Sequence, residues 1–136
     1  MGKKYKNLSS PLKIGSITIK NRMCVAPMDT GAYSGPQGEF SKEGIDYFIR
    51  RAQGGFGLIY SGGQAVDSIV DPVIESTILQ APAVFKKAGI ELNTRLKAYG
   101  SHMFIQLSFG FGRNMPGAYA PSEVPVCGMP NMTSPE

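Results

Sequence analysis

Tryptophan is absent from this 136-residue sequence, histidine occurs once and cysteine twice. Cys24 and Cys127 lie far apart, with no C-x-x-C pair and no Cys/His cluster. That spacing excludes a zinc ribbon or an iron–sulfur site built by the chain alone and points to reduced thiols. No apolar run approaches the ~18–20 residues needed to span a bilayer. The basic start, Met1 to Lys6, is not followed by the apolar segment of a signal peptide. A myristoylation signal is excluded as well, because Lys6 stands where it needs Ser or Thr. The net charge of +4 is mild and partly carried by Lys3, Lys4 and Lys6; no stripe of Lys/Arg with interleaved aromatics marks a nucleic-acid surface. The expectation is a cytoplasmic protein without a membrane or nucleic-acid partner.

With 42% hydrophobic and 18% charged residues, the chain can build a core and is not disordered by composition. Its length suits one domain of roughly 100–200 residues. Leu12 to Lys20 alternates apolar with polar around Gly15-Ser16, a two-residue hairpin signal in which a II′ turn puts glycine first. Met23 to Met28 is a nearly unbroken apolar run, expected as a buried strand. Thr30 to Phe40 reads as a long loop.

Ser41 is a plausible N-cap, and Ile45, Phe48, Ile49 and Ala52 recur at helical spacing before Gly54-Gly55. Phe56 to Ser61 predicts a second buried strand that ends in a turn at Gly62-Gly63. Asp67 to Gln80 is ambiguous. Pro82 suits a first helical turn, and Val84, Ala88, Leu92, Leu96 and Tyr99 form a stripe ending at Gly100. Met103 to Leu107 predicts a third buried strand, which leaves Gln106 as an amide in need of partners. The lone histidine, His102, precedes that strand as a surface residue. Residues 109–136 are Gly-, Pro- and Met-rich without periodicity.

Strand, helix, strand, helix, strand implies right-handed βαβ crossovers and a parallel sheet. Polar or glycine-rich residues follow each strand: Asp29-Thr30, Gly62-Gly63-Gln64, and Gln106 with the segment to Arg113. Ligands bind at the carboxyl ends of strands in βα-barrels and open α/β sheets alike, so the pattern leaves both folds open.

Four pieces in order then carry a resemblance: Pro11 to Gly15 with Lys20-Asn21-Arg22-Met23 and Ala26-Pro27-Met28; Arg51 to Ile59; Phe104 to Leu107; and Gly110-Phe111-Gly112-Arg113. Together they resemble the old yellow enzyme family of FMN-dependent ene-reductases, and within it the branch of 2,4-dienoyl-CoA and 2-enoate reductases. The resemblance runs from about Leu8 to the C-terminus. It implies an α/β fold, a partial TIM (β/α)8 barrel with an N-terminal β-hairpin and about three βα units. The implied organisation is a tail and capping hairpin over 1–22, βα units over 23–108 and an irregular loop over 109–136.

The resemblance also implies an FMN site. Ala26, Pro27, Met28 and Asp29 would run beside the isoalloxazine, Gly63 would let a flavin edge approach the backbone, and Gln106 would donate and accept at the pyrimidine edge. Asp29 departs from the Cys, Thr or His common in the family there; a carboxylate disfavours the charge of a reduced flavin, so a lowered potential is expected. Arg113 and Tyr33 are secondary candidates on the substrate side. No catalytic residue is assigned, because the family's proton-donor pair lies after a later strand and nothing here matches it.

A complete TIM barrel takes ~250 residues, so this sequence accounts for about three of eight strands. The phosphate-binding loops of strands seven and eight have no counterpart here, and no GxGxxG fingerprint occurs. Three readings follow. The first is the N-terminal portion of an FMN-dependent NAD(P)H:flavin oxidoreductase reducing activated C=C bonds of enoate or enoyl substrates, inactive as this isolated chain. The second is a catalytically dead partial barrel that oligomerises or completes a partner's barrel. The third is a compact α/β domain with another small ligand. Bound flavin marks the first, a colourless defined oligomer the second, and a colourless monomer with a cooperative melt the third.

Overall fold

The computed structural model describes residues 5–28, 34–66 and 80–108. After a single turn of helix, α1 (Lys6–Ser9), the strands β1 (Leu12–Ile14) and β2 (Ile17–Ile19) pair antiparallel in a hairpin. Gly15 takes φ +57° and Ser16, like every non-glycine residue among those described, does not have positive φ, so the turn has the II′ form that the Gly-Ser pair predicts. Then come β3 (Cys24–Val25), α2 (Lys42–Gln53), β4 (Leu58–Ala65), α3 (Pro82–Ala98) and β5 (His102–Ser108). The three later strands form a parallel sheet in the order β3-β4-β5. This is a run of βα units in chain order, as in a (β/α)8 barrel.

Helix α2 starts where the sequence places it, because the Ser41 hydroxyl accepts from the Gly44 N–H at 2.9 Å. It buries Ile45, Phe48, Ile49 and Ala52, one face at i, i+3, i+4 and i+7. These side chains meet Val25 and Ile59 from the sheet and Leu92 and Leu96 from α3 in one core. Phe40 packs edge-on against Phe48, with ring centroids 6.1 Å apart. Burial of each such side chain contributes about 1.5–3 kcal/mol. An ion pair between Arg95 and Asp46 at 3.0 Å joins α3 to α2, but in its exposed position it adds little.

The hairpin closes the amino-terminal end of the sheet through Lys20, Asn21 and Arg22. Lys20 Nζ donates to the Tyr99 carbonyl at 2.6 Å. Asn21 Nδ2 donates to the Gly55 carbonyl at 2.8 Å, while Asn21 Oδ1 accepts from the Met23 and Gly57 N–H groups. Arg22 Nε donates to the Ser10 hydroxyl. Met23 and Gly57 stand just before β3 and β4, and Tyr99 shortly before β5, so the run that helped to carry the resemblance is a clamp on strand starts. Opposite this clamp, the carboxyl ends of the strands are free of the hairpin.

Several expectations change. The first apolar run is strand only at Cys24–Val25; Pro27 has no N–H for a ladder, and Ala26 to Met28 are exposed. The second strand does not stop at Ser61: Gly62 and Gly63 stay within β4, which continues to Ala65. In α3 only Leu92 and Leu96 are buried, while Val84 and Tyr99 are exposed. The third strand is not buried at its far end, where Ile105, Gln106 and Leu107 are all exposed. His102 is the first residue of that strand and is half-buried. The irregular segment from Phe109 onward and all but Gln80 of the ambiguous stretch from Asp67 to Gln80 lie outside the described residues.

Candidate functional site

Because β3, β4 and β5 are parallel and adjacent, the segments that end them emerge on the same side of the sheet. That side carries Ala26, Pro27 and Met28 after β3, Gly63 near the end of β4 and Gln106 near the end of β5. Gly63 and Gln106 are register partners across the β4–β5 ladder. The ladder shifts by one residue between Tyr60 and Gly63: Tyr60 pairs with Phe104, and three steps along β4 match two along β5. The buried Ser61 hydroxyl fills this bulge, accepting from the Gln106 N–H at 2.9 Å and donating to the Gly62 carbonyl at 2.8 Å. Below the bulge the rings of Tyr60 and Phe104 meet edge-to-face at 5.6 Å.

Nothing among the described residues requires glycine at position 63. Its φ is not in the left-handed region. Among the described residues, a Cβ placed there would meet only Ser108 Cβ, at an ordinary contact distance of 3.7 Å. Among the described residues, the missing side chain therefore leaves space beside the Gln106 position that no other residue fills. The Gln106 carboxamide is exposed and makes no hydrogen bond within the described residues, so both its donor and its acceptor are available. One strand position on, Gln64 is 3% exposed, its Nε2 donates to the Gly62 carbonyl at 3.4 Å and its Oε1 has no partner.

An open cavity of about 480 Å³ lies along the edge of β3 that is unpaired among the described residues. Cys24, Ala26, Met28, Arg50, Arg51 and Phe56 are among the residues lining it. Desolvation raises the Cys24 thiol pKa above its ordinary value of 9.0, so the thiol stays protonated at neutral pH. The expected site residues therefore fall into two groups: Gly63 with Gln106 across a ladder, and Ala26 with Met28 on the β3 edge. The Asp29, Tyr33 and Arg113 expectations lie outside the described residues. Among the described residues no group of His, Cys, Asp or Glu could hold a metal ion, and no helix is long and apolar enough to cross a membrane. Sequence reading missed Ser61 and took Gln64 only as one of the polar residues following the second strand. The only available signal for Ser61 was the Gly62-Gly63 pair, which reads equally well as a turn and as a bulge.

Residues 7–136 match the model of the NADH:flavin oxidoreductase / NADH oxidase family. The chain belongs to that family. Among its relatives, the cinnamate reductase of Clostridium sporogenes is 38% identical over 98% of this chain and 21% of that protein. The NADH oxidase of Thermoanaerobacter brockii is 30% identical over 89% of this chain and 19% of that protein. The chain thus spans about a fifth of the length of these curated relatives. The old yellow enzyme from Trypanosoma cruzi superposes with a TM-score of 0.71 at 20% identity, over 91% of this chain and 37% of that one. A 2-naphthoyl-CoA reductase structure gives 0.65 at 27% identity, over 76% and 16%. This member of the flavin oxidoreductase family therefore has the fold of part of an old yellow enzyme barrel.

Proposed function

We propose that this chain is the N-terminal part of an FMN-dependent NAD(P)H:flavin oxidoreductase of the ene-reductase class, and that its strand ends hold one side of the flavin ring system. The observation that carries this reading is the pairing of Gly63 with Gln106. A position with no side chain, and no reason among the described residues to lack one, stands beside a carboxamide with both its groups free. A flat ring with a hydrogen-bonding edge fits that juxtaposition: Gly63 admits the edge, and Gln106 donates to one ring atom while accepting from another. Ala26 and Met28, exposed past β3, cover apolar ring surface. Asp29, the next residue, keeps its expected effect of lowering the flavin potential. When bound, FMN supplies hydride transfer between a nicotinamide and an activated C=C bond. The name of the Clostridium relative supports an α,β-unsaturated carboxylate as the substrate class.

The isolated chain is inactive on this reading and needs further strands. Both outer strands of the sheet, β3 and β5, have an unpaired edge among the described residues, and Leu107 on β5 is 63% exposed. Self-association or a completing chain would cover these edges. The same exposed apolar residues favour a second reading, a partial barrel that acts by docking alone.

The test is a titration of the purified chain with FMN, followed by flavin fluorescence and by visible absorbance of the peak from size exclusion. The expected result is FMN retained on a defined oligomer. No binding at about 100 μM FMN, a limit of about 5.5 kcal/mol, would overturn the flavin reading for this chain. A colourless defined oligomer would favour the docking reading.

A further inference from the structure

We propose that Ser61 is the positioning residue that decides which glycine of the Gly62-Gly63 pair faces the ligand, and that it acts through the backbone of Gln106. Without an extra residue in β4, the ladder that pairs Tyr60 with Phe104 would pair Gly62 with Gln106. Side chains alternate along a strand, so a slip of one residue sends every later position to the opposite face. The bulge inserts that residue and makes Gly63 the partner of Gln106.

A bulge breaks the ladder and leaves a backbone group to be satisfied. Here the orphan is the Gln106 N–H, and the Ser61 hydroxyl accepts it at 2.9 Å. The same hydroxyl donates to the Gly62 carbonyl at 2.8 Å, closing the bulge on both sides with one oxygen. Ser61 is 0% exposed, so water cannot substitute for it freely. An alanine there leaves both the Gln106 N–H and the Gly62 carbonyl without these bonds, and the straight register, with Gly62 opposite Gln106, becomes a competitor. In that register Gly62 stands opposite Gln106, but Gln64 takes the place of Ala65 opposite Ser108, on the face of Gln106, and its side chain crowds the ligand there. Threonine supplies the same hydroxyl and keeps the bulge.

This role rests on the proposed FMN site, and the experiment separates the two. Ser61→Ala, Ser61→Thr, Gln106→Ala and the Ser61→Ala/Gln106→Ala pair are titrated with FMN by fluorescence. Hydrogen exchange of the Gln106 amide is followed in the chains that keep Gln106, and thermal melts are recorded for all. The expected result for Ser61→Ala is faster exchange at Gln106 and FMN affinity weaker by about tenfold, the scale of one net hydrogen bond. Ser61→Thr keeps both properties. In the Gln106→Ala background Ser61→Ala still weakens FMN binding, because alanine at 106 keeps the backbone N–H that Ser61 holds. If the parent chain binds FMN and Ser61→Ala binds it equally well, the positioning role is overturned while the flavin site stands. If Ser61→Ala weakens binding while exchange of the Gln106 amide is unchanged, the role is overturned too, because the effect does not pass through that N–H. A parent chain that binds no FMN overturns both.

Discussion

Gly63 and Gln106 sit directly across the β4–β5 ladder, and the residue with no side chain borders the residue whose carboxamide is free. Two sequence-distant positions become neighbours only because β4 carries one more residue than β5 between Tyr60 and Gly63. Their juxtaposition is therefore a property of the bulge as much as of either residue.

Filling the space at Gly63 should separate folding from binding. Among the described residues, Gly63→Ala adds a Cβ that meets only Ser108 Cβ at 3.7 Å, at a backbone angle alanine can adopt. Thermal stability should stay within about 0.5 kcal/mol of the parent. FMN affinity should fall by about tenfold, since crowding a close approach costs about 1–3 kcal/mol. A melting scan and an FMN titration check the pair of outcomes. Unchanged affinity would mean that no ligand edge approaches this glycine.

The amino-terminal end gives the opposite expectation at Gly57. A Cβ there would lie 2.8 Å from the Asn21 carbonyl oxygen and 2.7 Å from its side-chain oxygen. Gly57→Ala must push the backbone of the clamp aside, so the midpoint of urea unfolding should drop by an amount equivalent to about 2 kcal/mol or more. Asn21→Ala removes three hydrogen bonds, to Gly55, Met23 and Gly57. It should cost about 2–3 kcal/mol. Neither change touches the strand ends, so FMN binding measured well below the unfolding midpoint should be retained.

The helix α2 was legible because its N-cap, its apolar spacing and its closing glycines agree with one another, and the core that it buries follows from that face. The parallel sheet was legible from the alternation of runs. What misled was context. Gly62-Gly63 reads as a turn unless one knows that the Ser61 hydroxyl replaces a ladder bond. Ile105 and Leu107 read as core because they belong to an apolar run, yet both are exposed on β5. Val84 belongs to the helical stripe by spacing, yet α3 closes on the sheet only from Leu92 onward among its fully buried positions. For the site, Gly63 and Gln106 came from motif resemblance, and their pairing came only with the register.

Cys24 offers a readout of the β3 edge. Desolvation raises its pKa, which leaves less thiolate at neutral pH than in an unfolded chain. In a Cys127→Ser background, alkylation by iodoacetamide should be slower in the folded chain than in urea. It should keep accelerating as pH rises past the ordinary thiol value of 9.0. The folded state binds more protons than the unfolded state over that window, so stability should fall as pH rises through it. Equal alkylation rates folded and unfolded across this range would show that the thiol is not desolvated.

Leu107 and Ile105 test the open edge of β5. Both project from a strand with no partner on its outer side among the described residues, and they are 63% and 43% exposed. If self-association covers this edge, Leu107→Lys places a charge where apolar surface must be removed from water, at a cost of a few kcal/mol when unpaired. Light scattering on a dilution series should then show dissociation at protein concentrations at least about tenfold higher than for the parent. Circular dichroism should stay the same, because Leu107 contributes nothing to the buried core of α2, α3 and the sheet. An unchanged oligomer would move the contact to the other edge unpaired among the described residues, at Cys24–Val25, where Arg50 and Arg51 already line the cavity.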